Sequence, residues 1–259
     1  MKDYIDDNVQ SLLTANKLKD FDSLWTLALT PVDRPNTDRG GRSEVARLSL
    51  KDADGAEQEF FIKRQVNHLS RSLTAPFGEP TFRRELRNIL LYQRREIPAL
   101  EAVLYAERKT SEGLRAIIIT RALDDYRPLS ELLSDWSSFD DAKKLKLLRT
   151  CGHLIGRLHS KRIAHRCCYP KHVFINLDLQ PAARFIDLEN ARFSLMPIRD
   201  AINDLDAFIR RAQVFSDSDI EQLIAAYLDS YRLGLTPYGL KRRLAARKRR
   251  KVQRKKPSL

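Results

Sequence analysis

The 259-residue chain is poor in residues that interrupt regular structure, with 9 Gly and 11 Pro, so most of its length is expected to be ordered helix and strand. It carries only 3 Cys: Cys151, Cys167 and Cys168. They make no Cys-x-x-Cys pair and no even framework, and neighbouring Cys167 and Cys168 do not bridge without strain. A disulfide-stapled fold is excluded, and reduced thiols in a reducing compartment are expected. No apolar run is long enough to span a bilayer. The start, Met1-Lys2-Asp3-Tyr4-Ile5-Asp6-Asp7, is acidic and lacks the apolar core of a signal peptide, so a cytoplasmic protein is expected. Acid is absent from the last stretch: Lys241 to Leu259 holds eleven Lys and Arg and no Asp or Glu. That stretch supplies eleven of the formal net charge of +13 and leaves +2 for the rest.

What is present is patterned. Residues Asp6 to Leu29 place Val9, Leu12, Leu13, Leu18, Phe21, Leu24 and Trp25 at mostly helical spacing, and Pro31 and Pro35 end the run. The final part of Asp38 to Leu50 alternates as a strand, Asp52-Ala53-Asp54-Gly55 is a turn, and Glu59 to Arg64 is the returning strand. Gly40 and Gly41 precede this hairpin, where glycine lets backbone N–H groups come close to phosphates. Lys63 then stands where a strand lysine pairs with nucleotide phosphates. A helix follows Pro80, with Thr81 as its cap and Phe82, Leu86, Ile89 and Leu90 on one face. Glu85, one turn in, is the natural partner of Lys63. A solvated carboxylate is the bland alternative, and the Ile-Lys strand tips the balance to the ion pair.

Two more strands, around Ala102 to Ala106 and Leu114 to Thr120, lead to Arg121-Ala122-Leu123 at a hinge position where backbone groups would meet adenine. Helices over Leu129 to Leu133 and Ala142 to His159 come next. The second has Leu145, Leu148, Leu154, Ile155 and Leu158 on its expected buried face. It delivers the chain into His165-Arg166-Cys167-Cys168-Tyr169-Pro170-Lys171-His172, then an apolar strand, a turn, and Phe185-Ile186-Asp187-Leu188. This is the layout of a kinase catalytic loop, H-R-D-L-x-x-x-N, followed by a metal-binding Asp. Cys167 takes the position of the catalytic Asp and His172 that of the Asn. A helix around Asp200 to Phe208 and two short helices over Ser216 to Leu233 complete the body. There is no long activation segment and no Ala-Pro-Glu, which points away from a peptide substrate and toward a small or lipid-linked acceptor.

Five stretches carry a family resemblance. They are Asp33-Arg34-Pro35-Asn36 before Arg39-Gly40-Gly41-Arg42-Ser43; Phe61-Ile62-Lys63-Arg64; Ala75-Pro76-Phe77-Gly78-Glu79-Pro80-Thr81 running to Arg84-Glu85; Cys167-Cys168-Tyr169-Pro170-Lys171-His172; and Ile186-Asp187-Leu188-Glu189. With them the chain resembles the bacterial lipopolysaccharide kinases, the Kdo and heptose kinases, and within that family the InaA-like branch. The resemblance implies an α+β, bilobal eukaryotic-protein-kinase-like fold, with an antiparallel N-lobe sheet plus helix and a small helical C-lobe. The expected division is an N-terminal helical extension over residues 1–32, an N-lobe over 33–120, a C-lobe over 121–240 and a basic tail over 241–259. It also implies ATP-dependent phosphorylation of a lipopolysaccharide inner-core sugar, or another lipid-linked sugar acceptor, at the cytoplasmic face of the inner membrane.

Under this reading Lys63 neutralises the ATP phosphates, and Asp187 holds Mg²⁺, a hard cation that takes oxygen ligands. His172 is a second metal ligand or a hydrogen-bond donor, and Lys171 points at the γ-phosphate. A thiol with a reference pKa near 8.5 does not simply replace a carboxylate base. Glu189 or His165 would orient the acceptor hydroxyl, or transfer would proceed without a base, or the protein would be a pseudokinase that binds nucleotide or a partner without turnover. His165 and Arg166 otherwise brace the loop, and Asp204 either anchors the loop backbone or is an ordinary helix carboxylate. A zinc site from Cys167, Cys168, His165 and His172 fits no zinc spacing. A small-molecule kinase of the antibiotic or choline type fits the loop less well, since that class keeps the catalytic Asp. The basic tail suits an anionic membrane surface or simple solvation, and the body carries no nucleic-acid-binding motif.

Overall fold

The computed structural model describes residues 3–32, 34–37, 40–72, 75–177 and 182–255. Asp33 and Arg39 of the resemblance, and Lys256 of the basic tail, lie outside the described residues. The chain divides into two compact units, Met1–Gln93 with Leu100–Asp124, and Arg94–Ala99 with Asp125–Leu259.

The first unit contains β1 (Tyr4–Ile5), α1 (Asp7–Ala15), α2 (Phe21–Thr26), β2 (Arg42–Lys51), β3 (Glu57–Val66), β4 (Leu69–Ser72), β5 (Ala75–Pro80), α3 (Thr81–Arg94), β6 (Ala102–Thr110) and β7 (Gly113–Arg121). Five strands form an antiparallel sheet in the order β1-β6-β7-β3-β2. Alternation along β3 decides which face does what. Phe60 and Ile62 join one buried cluster with Val9, Leu12, Phe21 and Leu24, so α1 and α2 belong to the core of this unit. Lys63 and Gln65 point to the other face, where both bond to side chains of α3.

The run expected from Asp6 to Leu29 is two helices rather than one. Asn16 closes α1, Lys17 adopts φ 60°, and Asp20 starts α2 with a reciprocal cap to Ser23. Thr81 is not the cap of α3 but its first residue. Its hydroxyl donates to Gln65 Oε1 at 2.7 Å, and that same oxygen accepts the Phe82 N–H at 3.2 Å. The cap therefore comes from β3, sixteen residues back.

The second unit contains β8 (Arg127–Pro128), α4 (Leu129–Leu132), α5 (Asp141–Ser160), β9 (Ile163–Ala164), β10 (Val173–Asn176), β11 (Ala182–Phe185), β12 (Arg192–Phe193), α6 (Pro197–Arg211), α7 (Asp217–Ser230) and α8 (Pro237–Lys255). Asp140 caps α5, which buries Leu148, Leu154, Ile155 and Leu158, whereas Leu145 lies toward solvent at 37% exposure. The expected pair of short helices after Ser216 is the single helix α7, capped by Ser216 and Asp219. Most of the basic tail is also helical. Its Lys, Arg, Leu and Ala are strong helix formers, and neither Gly nor Pro occurs between Leu240 and Lys256. No helix among the described residues is long and apolar enough to cross a membrane.

Helix α5 owes its close approach to α7 to two glycines four residues apart. A Cβ at Gly152 would stand 2.7 Å from both the Leu223 carbonyl oxygen and the Ala226 Cβ, and one at Gly156 would stand 2.8 Å from the Tyr227 carbonyl oxygen. Helix propensity alone favours Gly152→Ala by about 1 kcal/mol. Overpacking against backbone atoms costs about 1–3 kcal/mol, and the adjacent α7 has to move. Gly152→Ala is therefore expected to destabilise the protein, seen as a lower denaturation midpoint in urea with an unchanged m-value.

Candidate active site

Two sets of charged residues stand out, one in each unit. In the first, Lys63 Nζ lies 2.6 Å from Glu85 Oε1, and the Glu85 side chain is only 4% exposed. The pair exists because β3 turns Lys63 toward α3 and α3 turns Glu85 back one turn after its start. Arg83 adds an ion pair to Glu107 on β6. At Gly41 a Cβ would stand 2.4 Å from the Asn67 carbonyl carbon and the His68 nitrogen. Gly41 is thus required by packing against its own sheet. Gly40 has φ +72° and open space around its α-carbon. At the end of β7, the Arg121 N–H donates to the Glu101 carbonyl and the Ala122 N–H to the Glu59 carbonyl, so both complete sheet bonds. Leu123 follows, half-buried.

In the second unit the catalytic loop hangs on one carboxylate. Asp204, on α6 and 1% exposed, accepts the His165 N–H at 2.7 Å and the Arg166 N–H at 2.9 Å. His159 Nε2 lies 3.2 Å from Asp204 Oδ2, and His159 Nδ1 lies 3.1 Å from the Tyr227 hydroxyl. A carboxylate only accepts, so the His159 Nε2–H donates to Asp204. Arg166 is thereby held at φ 66°, a left-handed backbone that costs energy outside glycine.

His165 is fully buried between Phe185 and His172, and its Nε2 donates to the Ile186 carbonyl at 3.1 Å. Burial lowers its pKa and keeps it neutral. With no exposed atom and its proton committed to the backbone, His165 braces the loop and does not reach an acceptor hydroxyl, which corrects its candidacy as a catalytic group.

His172 connects the loop to Asp187. Its Nδ1 lies 2.9 Å from the Cys167 carbonyl, and its Nε2 lies 3.2 Å from Asp187 Oδ2. Nδ1 must carry a proton to bond a carbonyl. Burial lowers the imidazole pKa, which favours the neutral ring. The neutral ring turns a bare Nε2 lone pair toward a carboxylate, and a cation between them relieves that opposition. No Lys or Arg among the described residues pairs with Asp187. Asp187 adopts φ 58°, ψ 60°, which sets its carboxylate ahead of the short 3-10 turn Leu188–Asn190. Asp187 offers a divalent ion one oxygen ligand with His172 beside it, and among the described residues no group of three or more His, Cys, Asp or Glu could hold a metal by itself.

Cys167 is half-buried. Burial first, and the Asp187 carboxylate second, raise its pKa, so it is a thiol at neutral pH and not a base. Asn190 Nδ2 lies 3.6 Å from Cys167 Sγ and 3.1 Å from Glu189 Oε1. A carboxylate, Glu189, is thus one hydrogen-bonded amide away from the position where a kinase carries its catalytic Asp. Lys171 is exposed on the turn Pro170–His172. Arg211, which no spacing rule picks out, stacks its guanidinium 3.6 Å above the Tyr169 ring.

The antiparallel sheet with its ion-paired helix, followed by the anchored loop and the Asp187 turn, defines a protein-kinase-like fold. The chain belongs to the lipopolysaccharide kinase (Kdo/WaaP) family, which it matches over residues 22–227. It is 25% identical over 214 residues to the Protein InaA of Escherichia coli (strain K12), covering 82% of this chain and 96% of that protein. Among solved structures it is similar to WaaP in complex with acyl carrier protein, with a TM-score of 0.69 at 20% identity over 98% of this chain and 99% of that one.

Replacing Asp204 by Ala strands three buried donors, each worth about 1–3 kcal/mol when left unpaired. Asp204→Ala is therefore expected to cost more than about 3 kcal/mol in chemical denaturation. Asp204→Asn, whose amide oxygen still accepts, is expected to cost visibly less.

Proposed function

We propose that the protein transfers the γ-phosphate of ATP to a sugar hydroxyl of the lipopolysaccharide inner core, or of another lipid-linked acceptor, at the cytoplasmic face of the inner membrane. The observation that carries this reading is that both charged groupings phosphoryl transfer requires are intact: the buried Lys63–Glu85 pair and Asp187 beside His172. Phosphoryl transfer asks a protein for positioning and charge neutralisation more than for covalent chemistry. Lys63, oriented by Glu85, neutralises nucleotide phosphates. The Gly40 backbone approaches them, and Leu123 offers main-chain groups to the adenine, the Arg121 N–H being committed to the Glu101 carbonyl. Asp187, with His172, would hold Mg²⁺, which supplies Lewis-acid neutralisation of phosphate oxygens when bound. Exposed Lys171 meets the transferred phosphoryl group.

Glu189 takes the acceptor proton in place of the residue at Cys167. Asn190 bridges the two positions, and a loose transition state asks little of a base before the bond to the leaving oxygen breaks. A nucleotide-binding scaffold without turnover is the second reading, and the protonated Cys167 thiol favours it.

The test is phosphate transfer by the purified protein with ATP, Mg²⁺ and dephosphorylated core lipopolysaccharide. Transfer is expected, and it is expected to vanish in Lys63→Ala and in Asp187→Ala. Glu189→Gln should lower kcat by about 10²-fold, the low end for a general base, with little change in ATP affinity. Cys167→Asp should raise kcat. ATP that binds and raises the melting temperature without any transfer would establish the scaffold instead, and no ATP binding would remove both readings.

A further inference from the structure

The segment joining β12 to α6 presents four large apolar side chains to solvent within six residues. Phe193 is 51% exposed, Leu195 81%, Met196 57% and Ile198 40%. The alternate residue explains why they point outward. Ser194 is buried, its N–H donates to the Arg162 carbonyl at 2.7 Å, and its hydroxyl donates to Asp200 Oδ2 at 2.7 Å. Arg162 Nη2 also donates to the Ser194 carbonyl at 3.3 Å. Pinned at Ser194, the segment is a fixed ridge, not a collapsed loop end. An apolar ridge of this kind on a water-exposed surface marks a contact site.

The surroundings say what it contacts. Beside the ridge, α6 and α8 enclose an open groove of about 910 Å³ whose charged lining is Arg199, Arg243, Arg247 and Arg250, with no acid. Arg247 pairs with Asp206, whereas no carboxylate among the described residues pairs with Arg199, Arg243 or Arg250. A second, adjoining groove of about 520 Å³ is lined by six arginines against two carboxylates. Both of those are engaged, Asp200 by Ser194 and Arg192, and Asp204 by the loop backbone.

We infer that this face, the ridge Phe193–Ile198 with the arginines of α6 and α8, docks the protein on an anionic lipid bilayer. The ridge enters the acyl boundary while the guanidinium groups stay at the headgroups, which long cationic side chains do readily. Neither signal suffices alone, because stable peripheral attachment takes an apolar insertion plus charge. A nucleic acid would match the charge but leave Leu195, Met196 and Ile198 in water, since of the four ridge side chains only Phe193 can stack on a base. The inference does not rest on phosphoryl transfer, because docking is read without nucleotide or acceptor.

The full chain is tested by flotation with vesicles of phosphatidylglycerol and phosphatidylethanolamine, against vesicles of phosphatidylcholine alone. Binding to the anionic vesicles, weakened by added salt, is expected. The Leu195→Glu/Met196→Glu double variant should lower partitioning by at least about tenfold. Arg199→Glu/Arg243→Glu should do the same, with unchanged melting temperature in both because these side chains are exposed. Val214→Glu, at an apolar residue 49% exposed and outside both grooves, should bind as the parent does. The inference is overturned by absence of binding to anionic vesicles, by binding that survives the ridge variant, or by capture of an acidic protein or an oligonucleotide with no affinity for vesicles.

Discussion

The loop from His165 to His172 depends on one buried carboxylate. Asp204 takes the backbone N–H groups of His165 and Arg166 and the imidazole of His159 onto its oxygens. Two consecutive N–H groups directed at one carboxylate fix the peptide plane between them. Everything after it in the loop inherits that placement: the strained Arg166, the Cys167 carbonyl that orients His172, and through His172 the approach to Asp187. The anchor is buried, so water does not compete for it, and the energy that tolerates a left-handed Arg166 comes from there.

The same geometry explains how a cysteine is accommodated where a kinase carries an aspartate. A carboxylate at position 167 would be half-buried among Asp187 and Glu189, where burial first, and their charges after it, already raise the thiol's pKa. The neutral thiol removes one negative charge from that group and accepts instead from the Asn190 amide, which also bonds Glu189. The chain thus keeps a carboxylate near the site while moving it from the loop to the turn after Asp187.

The sequence is most informative where periodicity and short motifs coincide. The returning strand Glu59 to Arg64 places Lys63, the helical spacing after Thr81 places Glu85, and the motif from His165 to His172 places the loop. What is not legible depends on partners far away in sequence. Gln65 caps a helix that starts sixteen residues later, and nothing local distinguishes that glutamine from a surface one. His165 reads as a candidate acid or base until the packing of Phe185 and His172 buries it. Gly41 reads as a phosphate loop residue, and nothing local shows that the Val66–His68 backbone leaves no room for a side chain there. The break at Lys17 and the exposed Leu145 show the limit of apolar spacing, which says that a face is apolar but not where its cover ends. The basic stretch after Leu240 reads as a tail because charge suggests solvation, whereas its propensity makes it a helix.

The cap on α3 has a consequence for control. Gln65 Nε2 also donates to the His68 carbonyl, the Thr81 hydroxyl meets His68 Nδ1 at 3.2 Å, and the Thr81 N–H donates to the same His68 carbonyl. This closed set of buried bonds joins the strand that bears Lys63 to the helix that bears Glu85. In kinases that are switched on and off, that helix swings and takes its glutamate away from the lysine. Here the swing would break a buried polar network at the root of the helix, not merely one ion pair near its first turn. The first unit is therefore built as a fixed part, with the helix that bears Glu85 tied at its root to the strand that bears Lys63.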